Sequence, residues 1–211
     1  MNVLLIDNRD SFTFNLAEAC RVAGAGVEVV RNSIPAADAL AYALRYAALI
    51  MLSPGPGGPR EAGCCIELIA RAAGRVPMIG ICLGHQAIVE HHQGRVVRAH
   101  EPCHGKSSAV EHDGSGPFAG LPSPMRVGRY HSLCTPLNHI PDRLRVHAVL
   151  DGMAMAVGNF DDGQYGLQFH PESILTPLGS RLLDGMLDWA EERRRAFAGL
   201  TLPAAAGKVA A

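Results

Sequence analysis

Between residues 3 and 81, short apolar runs alternate with helical patterns, and that order leaves the chain few ways to fold. Val3 to Ile6 has the texture of a buried strand. A helical pattern follows as far as Ala23, with Phe12, Leu16, Ala19, Cys20 and Ala23 on one face and Asp10 or Ser11 as its N-cap. Val27 to Val30 reads as a second strand, Pro35 opens an alanine-rich helix to Tyr46, and Ala48 to Leu52 is a third strand. Strands separated in this way by helices form a parallel sheet covered on both faces, with right-handed crossovers. Helix formers resume at Glu61 and run to about Ala73, and Val76 to Ile81 supplies the fourth strand.

Beyond Gly94 the texture changes to shorter alternating segments: Arg95 to Arg98, Ser107 to Glu111, Met125 to Tyr130, Arg145 to Leu150, Met153 to Phe160 and Tyr165 to Phe169. Asp113-Gly114, Asp151-Gly152 and Asp162-Gly163 mark turns between several of them. The fold class is therefore α/β, a mixed and mostly parallel central sheet flanked by helices, with a smaller antiparallel extension. Leu178 to Arg195 reads as a closing helix with Leu182, Leu183, Met186, Leu187 and Trp189 inward. One domain spans 1–195, and the Ala/Gly-rich stretch 196–211 is expected to be a flexible tail.

Composition excludes several classes of function. With 48% hydrophobic and 18% charged residues the chain can build a sizeable core. A net charge of −1 argues against a nucleic-acid or membrane-surface partner. The opening residues lack a basic segment followed by a long apolar one, and no apolar run is long enough to span a bilayer, so a soluble cytoplasmic protein is expected. The six cysteines, at 20, 64, 65, 82, 103 and 134, contain no CxxC pair, and the ten histidines repeat no ligand spacing, so no metal site is expected.

The chemistry concentrates in three places. Gly80-Ile-Cys-Leu-Gly-His85 turns from an apolar strand into a helical stretch over 86–93, the cysteine form of a nucleophile elbow. At a helix N-terminus Cys82 gains from the dipole and free N–H groups, which favour thiolate. A buried packing cysteine is the alternative reading. Ser53-Pro-Gly-Pro-Gly57 follows the third strand and lies on the same sheet edge, where ligands of parallel sheets bind. His170-Pro-Glu172 ends the last strand, and residues two apart on extended backbone share a face roughly 6 to 7 Å apart. A carboxylate can then orient one imidazole nitrogen while the other points at Cys82, the order of nucleophile, base and orienting acid. A surface pair without function is the alternative for His170 and Glu172.

Taken together, Ser53-Pro-Gly-Pro-Gly57, Gly80-Ile-Cys-Leu-Gly-His-Gln86, Arg129-Tyr-His-Ser-Leu133 and Gln168-Phe-His-Pro-Glu-Ser173 resemble, in order and spacing, the class I (triad-type) glutamine amidotransferases. That resemblance covers about residues 2–192 and implies a flavodoxin-like fold. Leu5-Ile-Asp-Asn-Arg-Asp-Ser-Phe-Thr-Phe-Asn15 and His170-Pro-Glu-Ser-Ile-Leu175 are similar to the branch that serves chorismate enzymes. Finer matches such as Glu111-His-Asp-Gly114 and Met153-Ala-Met-Ala-Val157 are most similar to the glutaminase component of anthranilate synthase. The small subunit of aminodeoxychorismate synthase is the alternative within the branch, and a non-catalytic regulatory member or a γ-glutamyl hydrolase or cysteine peptidase the alternatives outside it.

The resemblance implies that Cys82 attacks the glutamine amide, that His170 moves the protons, and that Glu172 holds its ring. Backbone N–H groups of Gly57 and Leu83 would form the oxyanion hole, and Gly55, Pro56, Gly57, Gln86, Ser132 and Leu133 would bind L-glutamine. It implies no cofactor in this chain, with Mg2+ only in the partner synthase subunit. The partner would be anthranilate synthase component I, in a heteromeric complex, or one shared with aminodeoxychorismate synthase component I. The chain departs from the family's pattern in three places: Gln93-Gly94 replaces a paired glycine, Pro102 and Cys103 precede His-Gly-Lys106, and Phe14 stands where an aromatic with a polar group is frequent.

Overall fold

A computed structural model describes residues 1–201, with only the backbone of Leu200 and Thr201. In chain order the main elements are β1 (Asn2–Asp7), α1 (Phe12–Val22), β2 (Gly26–Arg31), α2 (Ala36–Arg45), β3 (Ala48–Leu52), α3 (Cys65–Ala72), β4 (Met78–Ile81) and α4 (Leu83–His91). There follow β5 (Val97–Arg98), β6 (Lys106–His112), β7 (Met125–Arg129), β8 (Leu133–Cys134), β9 (Arg145–Leu150), β10 (Met153–Asn159), β11 (Gln164–Leu167) and α5 (Gly179–Thr201).

Nine strands form one sheet in the order β2-β1-β3-β4-β11-β10-β9-β6-β7, and β5 pairs with β8 apart from it. The five strands from β2 to β11 are parallel to their neighbours. From β11 outward, through β10, β9, β6 and β7, every pairing is antiparallel. The expected mostly parallel sheet with an antiparallel extension is therefore present.

Side-chain alternation explains why the parallel strands read as continuous apolar runs. Val3 and Leu5 of β1, Leu49 and Met51 of β3, and Ile79 and Ile81 of β4 face one core with Leu16 and Cys20 of α1 and Leu182, Met186 and Trp189 of α5. Leu4, Ile6, Ile50, Leu52 and Met78 face the other, with Leu40 of α2, Leu68 and Ile69 of α3 and Ile88 of α4. Both faces of these three strands are thus buried, and none of the three shows a polar side.

Several boundaries differ from the sequence reading. The segment expected as one helix over 61–73 is a 3-10 turn, Pro59–Glu61, followed by α3. Gly63 separates them at φ +58, pressed against the Asn32 carbonyl, which also accepts from Cys64 N–H at 2.9 Å. α4 starts at Leu83, three residues before the stretch read as helical, because the turn at Cys82 passes straight into it. Arg95 to Arg98 yields only the two-residue β5. α5 continues six residues past Arg195, to Thr201, because Phe197 is buried against Gly163. Residues 202–211 of the expected flexible tail lie outside the described residues. Gln93 adopts φ +68, a left-handed conformation that suits glycine, at the position where the family's pattern has one. Among the described residues no helix is long and apolar enough to cross a membrane.

Candidate active site

The carboxyl ends of β1, β3, β4 and β11 open on one edge of the sheet, and each delivers a piece of the site there. From β4 comes Cys82, at φ 52 and ψ −98, backbone angles that cost a non-glycine residue of order 1–3 kcal/mol. Its N–H is held by the Leu167 carbonyl at 2.8 Å, and its own carbonyl accepts the first helical bond of α4, from Gln86 N–H at 3.1 Å. The flanking glycines allow this turn. A Cβ on Gly80 would overlap the Gly84 carbonyl, and one on Gly84 would sit 2.6 Å from the Leu52 carbonyl oxygen, so α4 descends directly onto β3 and β4. Cys82 is left 8% exposed.

β11 leads into His170 and Glu172. Nδ1 of His170 lies 2.7 Å from Oε1 of Glu172, with both side chains buried. The ring is fixed through its backbone: His170 N–H donates to the Gly128 carbonyl at 3.1 Å, and Thr176 Oγ1–H donates to the His170 carbonyl at 2.6 Å. Phe12 and Tyr130 pack edge-on against the imidazole at 4.9 and 5.0 Å between ring centroids. Burial opposes the charged imidazole, but the neighbouring Cys82 sulfur and then the Glu172 hydrogen bond and charge outweigh it, raising His170 from 6.5 to about 10. Nε2 is buried beside Cys82 without a well-aligned hydrogen bond. Catalytic hydrogen bonds commonly align only in the substrate complex.

Behind the sulfur lies an amide relay. Gln168 Nε2–H donates to Cys82 Sγ at 3.7 Å, and Gln168 Oε1 accepts from Gln86 Nε2 at 3.1 Å. Gln86 Nε2 also reaches the Leu133 carbonyl, at 3.4 Å. Leu133 in turn lines, with Gly57, Gly58, Arg98, Ala99, Pro102 and Ser132, a cavity of about 520 Å³. β5 forms its wall by pairing Arg98 opposite Leu133.

The glycine loop after β3 is anchored from β1. Asn8 N–H donates to Ser53 Oγ at 2.8 Å, and the Asn8 side chain donates to the Ser53 carbonyl at 2.9 Å. Asn32 and Cys65 both donate to Asn8 Oδ1, at 3.0 and 3.3 Å. A Cβ on Gly55 would lie 2.5 Å from the Leu83 side chain, so the loop rests directly on the start of α4.

The structure thus gathers Cys82, His170, Glu172 and Gln86 in one connected group, with Gly57, Ser132 and Leu133 in the adjoining cavity wall. Leu83, first in α4, has a backbone N–H with no acceptor inside the helix. Gly55 acts as a spacer against Leu83, and Pro56 is exposed between Gly55 and Gly57. Sequence reasoning missed Gln168, Asn8, Phe12, Tyr130 and Arg98 as neighbours of this group. Gln168 lies in the same motif as His170 and Glu172 but, in the bend after β11, carries no local signal of its own. Asn8, first after β1, could have been found from its place on the same sheet edge. Among the described residues no group of three or more His, Cys, Asp or Glu is arranged to hold a metal ion.

The model of the family described as glutamine amidotransferase class-I matches residues 4–188. Anthranilate synthase component 2 of Vibrio parahaemolyticus serotype O3:K6 (strain RIMD 2210633) is 47% identical over 197 residues, 92% of this chain and 99% of that protein. The protein of the same name from Haemophilus influenzae (strain ATCC 51907 / DSM 11121 / KW20 / Rd) is 44% identical over 193 residues, 91% and 99% of the two chains. In fold the chain is similar to a putative GMP synthase subunit from Thermoplasma acidophilum, with TM-score 0.80 and 24% identity over 93% of this chain and 96% of that one. A glutamine amidotransferase from Thermotoga maritima gives TM-score 0.72 and 18% identity over 92% and 97%. With a family match across most of its length and a nucleophile elbow facing a His–Glu pair, the chain belongs to the class-I glutamine amidotransferases.

Proposed function

We propose that this chain is the glutaminase subunit of anthranilate synthase. The observation that carries the reading is a buried line of Cys82, His170 and Glu172, in a chain 44–47% identical over nearly its whole length to proteins named anthranilate synthase component 2. With the Cys82 proton already resting on His170, Cys82 Sγ bonds the side-chain amide carbon of L-glutamine. The oxyanion that forms is met by N–H groups of Gly57 and Leu83, donors whose loss in comparable hydrolases costs about 3 kcal/mol each. His170 then gives its proton to the departing nitrogen, the C–N bond breaks, and ammonia leaves a thioester behind. His170 next takes a proton from water, the C–S bond breaks, and glutamate is released. Glu172 keeps the imidazole oriented and stabilises its charged form throughout.

Ser132, Leu133 and Gly57 line the cavity assigned to the amino-acid end of glutamine, and Gln86 reaches it through the Leu133 carbonyl, with Gly55 and Pro56 leading into Gly57. Thiol, imidazole and backbone N–H supply what this hydrolysis needs, so the chain is assigned no cofactor of its own, and Mg2+ belongs to the partner. Ammonia released into water would be protonated and lost. The chain therefore works docked on a chorismate-using component I, which consumes the ammonia through a closed path, and we assign the pair to the cytoplasm. The test is glutamate release by the full chain with and without component I, combined with labelling by diazo-oxo-norleucine and peptide mapping. Stimulation by component I and modification at Cys82 are expected. Equal rates with and without that partner, or labelling elsewhere, would contradict the reading.

A further inference from the structure

We infer that Gln168 is a further catalytic residue, whose side-chain amide donates a hydrogen bond to the Cys82 sulfur while its carbonyl holds Gln86 in place. The inference deepens the proposed function and rests on its assignment of Cys82 as nucleophile. Gln168 is fully buried, just beyond the end of β11, and its backbone N–H is tied to the Met155 carbonyl at 2.9 Å. A primary amide taken out of water is costly unless its polar atoms are satisfied. Here the carbonyl accepts from Gln86 at 3.1 Å, and the NH2 group points at Cys82 Sγ at 3.7 Å. The interior thus commits a polar side chain to the sulfur, where an apolar one of the same volume would pack without that cost.

Gln168 and His170 both lie in the short segment that follows β11, and from it both side chains reach the Cys82 sulfur. A donor of this kind matters most when its acceptor is an anion. The Gln168 N–H therefore stabilises the thiolate before attack and again when the thioester releases it. It also fixes the direction of the sulfur, which the strained backbone of Cys82 alone leaves free to rotate about its side-chain bond. Through Gln86 the same amide is linked to the Leu133 carbonyl, so the wall of the glutamine cavity and the nucleophile share one hydrogen-bonded path.

The test is iodoacetamide alkylation of Cys82 in the full chain, followed by peptide mapping from mildly acid to alkaline pH, for the wild type, Gln168→Glu and Gln168→Leu. Gln168→Glu keeps the volume and the acceptor for Gln86 but replaces the donor facing the sulfur with a carboxylate. The expected result is an alkylation rate at neutral pH lower by roughly ten- to hundredfold in both variants, with the pH midpoint for Cys82 moved upward, further in Gln168→Glu. A Gln168→Glu protein with wild-type rate and midpoint would show that Gln168 only fills space or holds Gln86, and would overturn the inference. Should Gln168→Leu not fold, Gln168→Glu decides. Wild-type labelling by diazo-oxo-norleucine is read separately: its absence from Cys82 overturns the nucleophile assignment, whereas a change in sulfur reactivity on losing the Gln168 donor is measured independently of glutamine.

Discussion

Replacing Glu172 with glutamine removes one charge and changes almost nothing else, because the side chain is fully enclosed and the two side chains have the same shape. The Glu172 carboxylate lies 2.7 Å from His170 Nδ1, and both groups are out of water. A hydrogen bond to a charged group contributes about 1.5–3 kcal/mol, which corresponds to a roughly ten- to hundredfold change in rate. Glu172→Gln is therefore expected to lower kcat/KM for glutamine-dependent glutamate release by that factor, in the full chain bound to component I. Synthesis from added ammonia should be unchanged, since His170 has no part in it. The pH dependence carries a second signature. His170 holds its proton to about 10. Its pairing stabilises the fold fully below the unfolded value near 6.5 and loses that contribution as pH rises toward 10. In Glu172→Gln the alkaline loss of stability, read from urea midpoints, should be smaller and should be complete at lower pH. A variant with wild-type glutaminase activity and an unshifted alkaline limb would refute the reasoning.

Two other perturbations follow from the packing. Gly84→Ala places a Cβ 2.6 Å from the Leu52 carbonyl oxygen, so the start of α4 must move off β3 by most of an ångström. Overpacking of this kind costs about 1–3 kcal/mol in stability, and a nucleophile misplaced by about 1 Å loses on the order of a hundredfold in rate. Calorimetry and a glutaminase assay should thus show a modest fall in Tm with a disproportionate fall in activity. A loss of activity no larger than the loss of folded protein would count against the elbow argument. His85 and His131 are neutral in the fold, each held down to about 4 by burial. Between about 6.5 and 4 the unfolded chain takes up protons that these rings refuse, so stability should drop on acidification by at most about 1.4 kcal/mol per pH unit for each. Urea midpoints for His85→Asn should show a shallower acid slope than wild type, and an unchanged slope would remove His85 from the explanation.

The parallel half of the sheet was legible because β1, β3 and β4 are buried on both faces and so read as unbroken apolar runs. The antiparallel half was legible in its turns, but its strand ends were not, since alternation persists past the last ladder bond at Phe160 and Phe169. The split between Pro59–Glu61 and α3 was hidden because it depends on Gly63 meeting the Asn32 carbonyl, a contact between residues far apart in the chain. Phe197 likewise extends α5 through packing on Gly163, which no local pattern near Arg195 announces. At the site, Cys82, His170 and Glu172 carried their own motifs. Gln168 sits in the same motif as His170 and Glu172, but nothing local distinguishes it from an ordinary strand residue. Asn8 could be placed on the site's edge of the sheet, but its role as anchor of the glycine loop could not be read, because its partners Ser53, Asn32 and Cys65 come together only in the folded sheet.

The most direct measurement is Cys82→Ser in the complex with component I, assayed for anthranilate formation from glutamine and, separately, from ammonia. Loss of the glutamine-dependent reaction with the ammonia-dependent one intact is the predicted result. If both fall together, or if synthesis from glutamine survives, the sulfur at the turn after β4 is not the nucleophile.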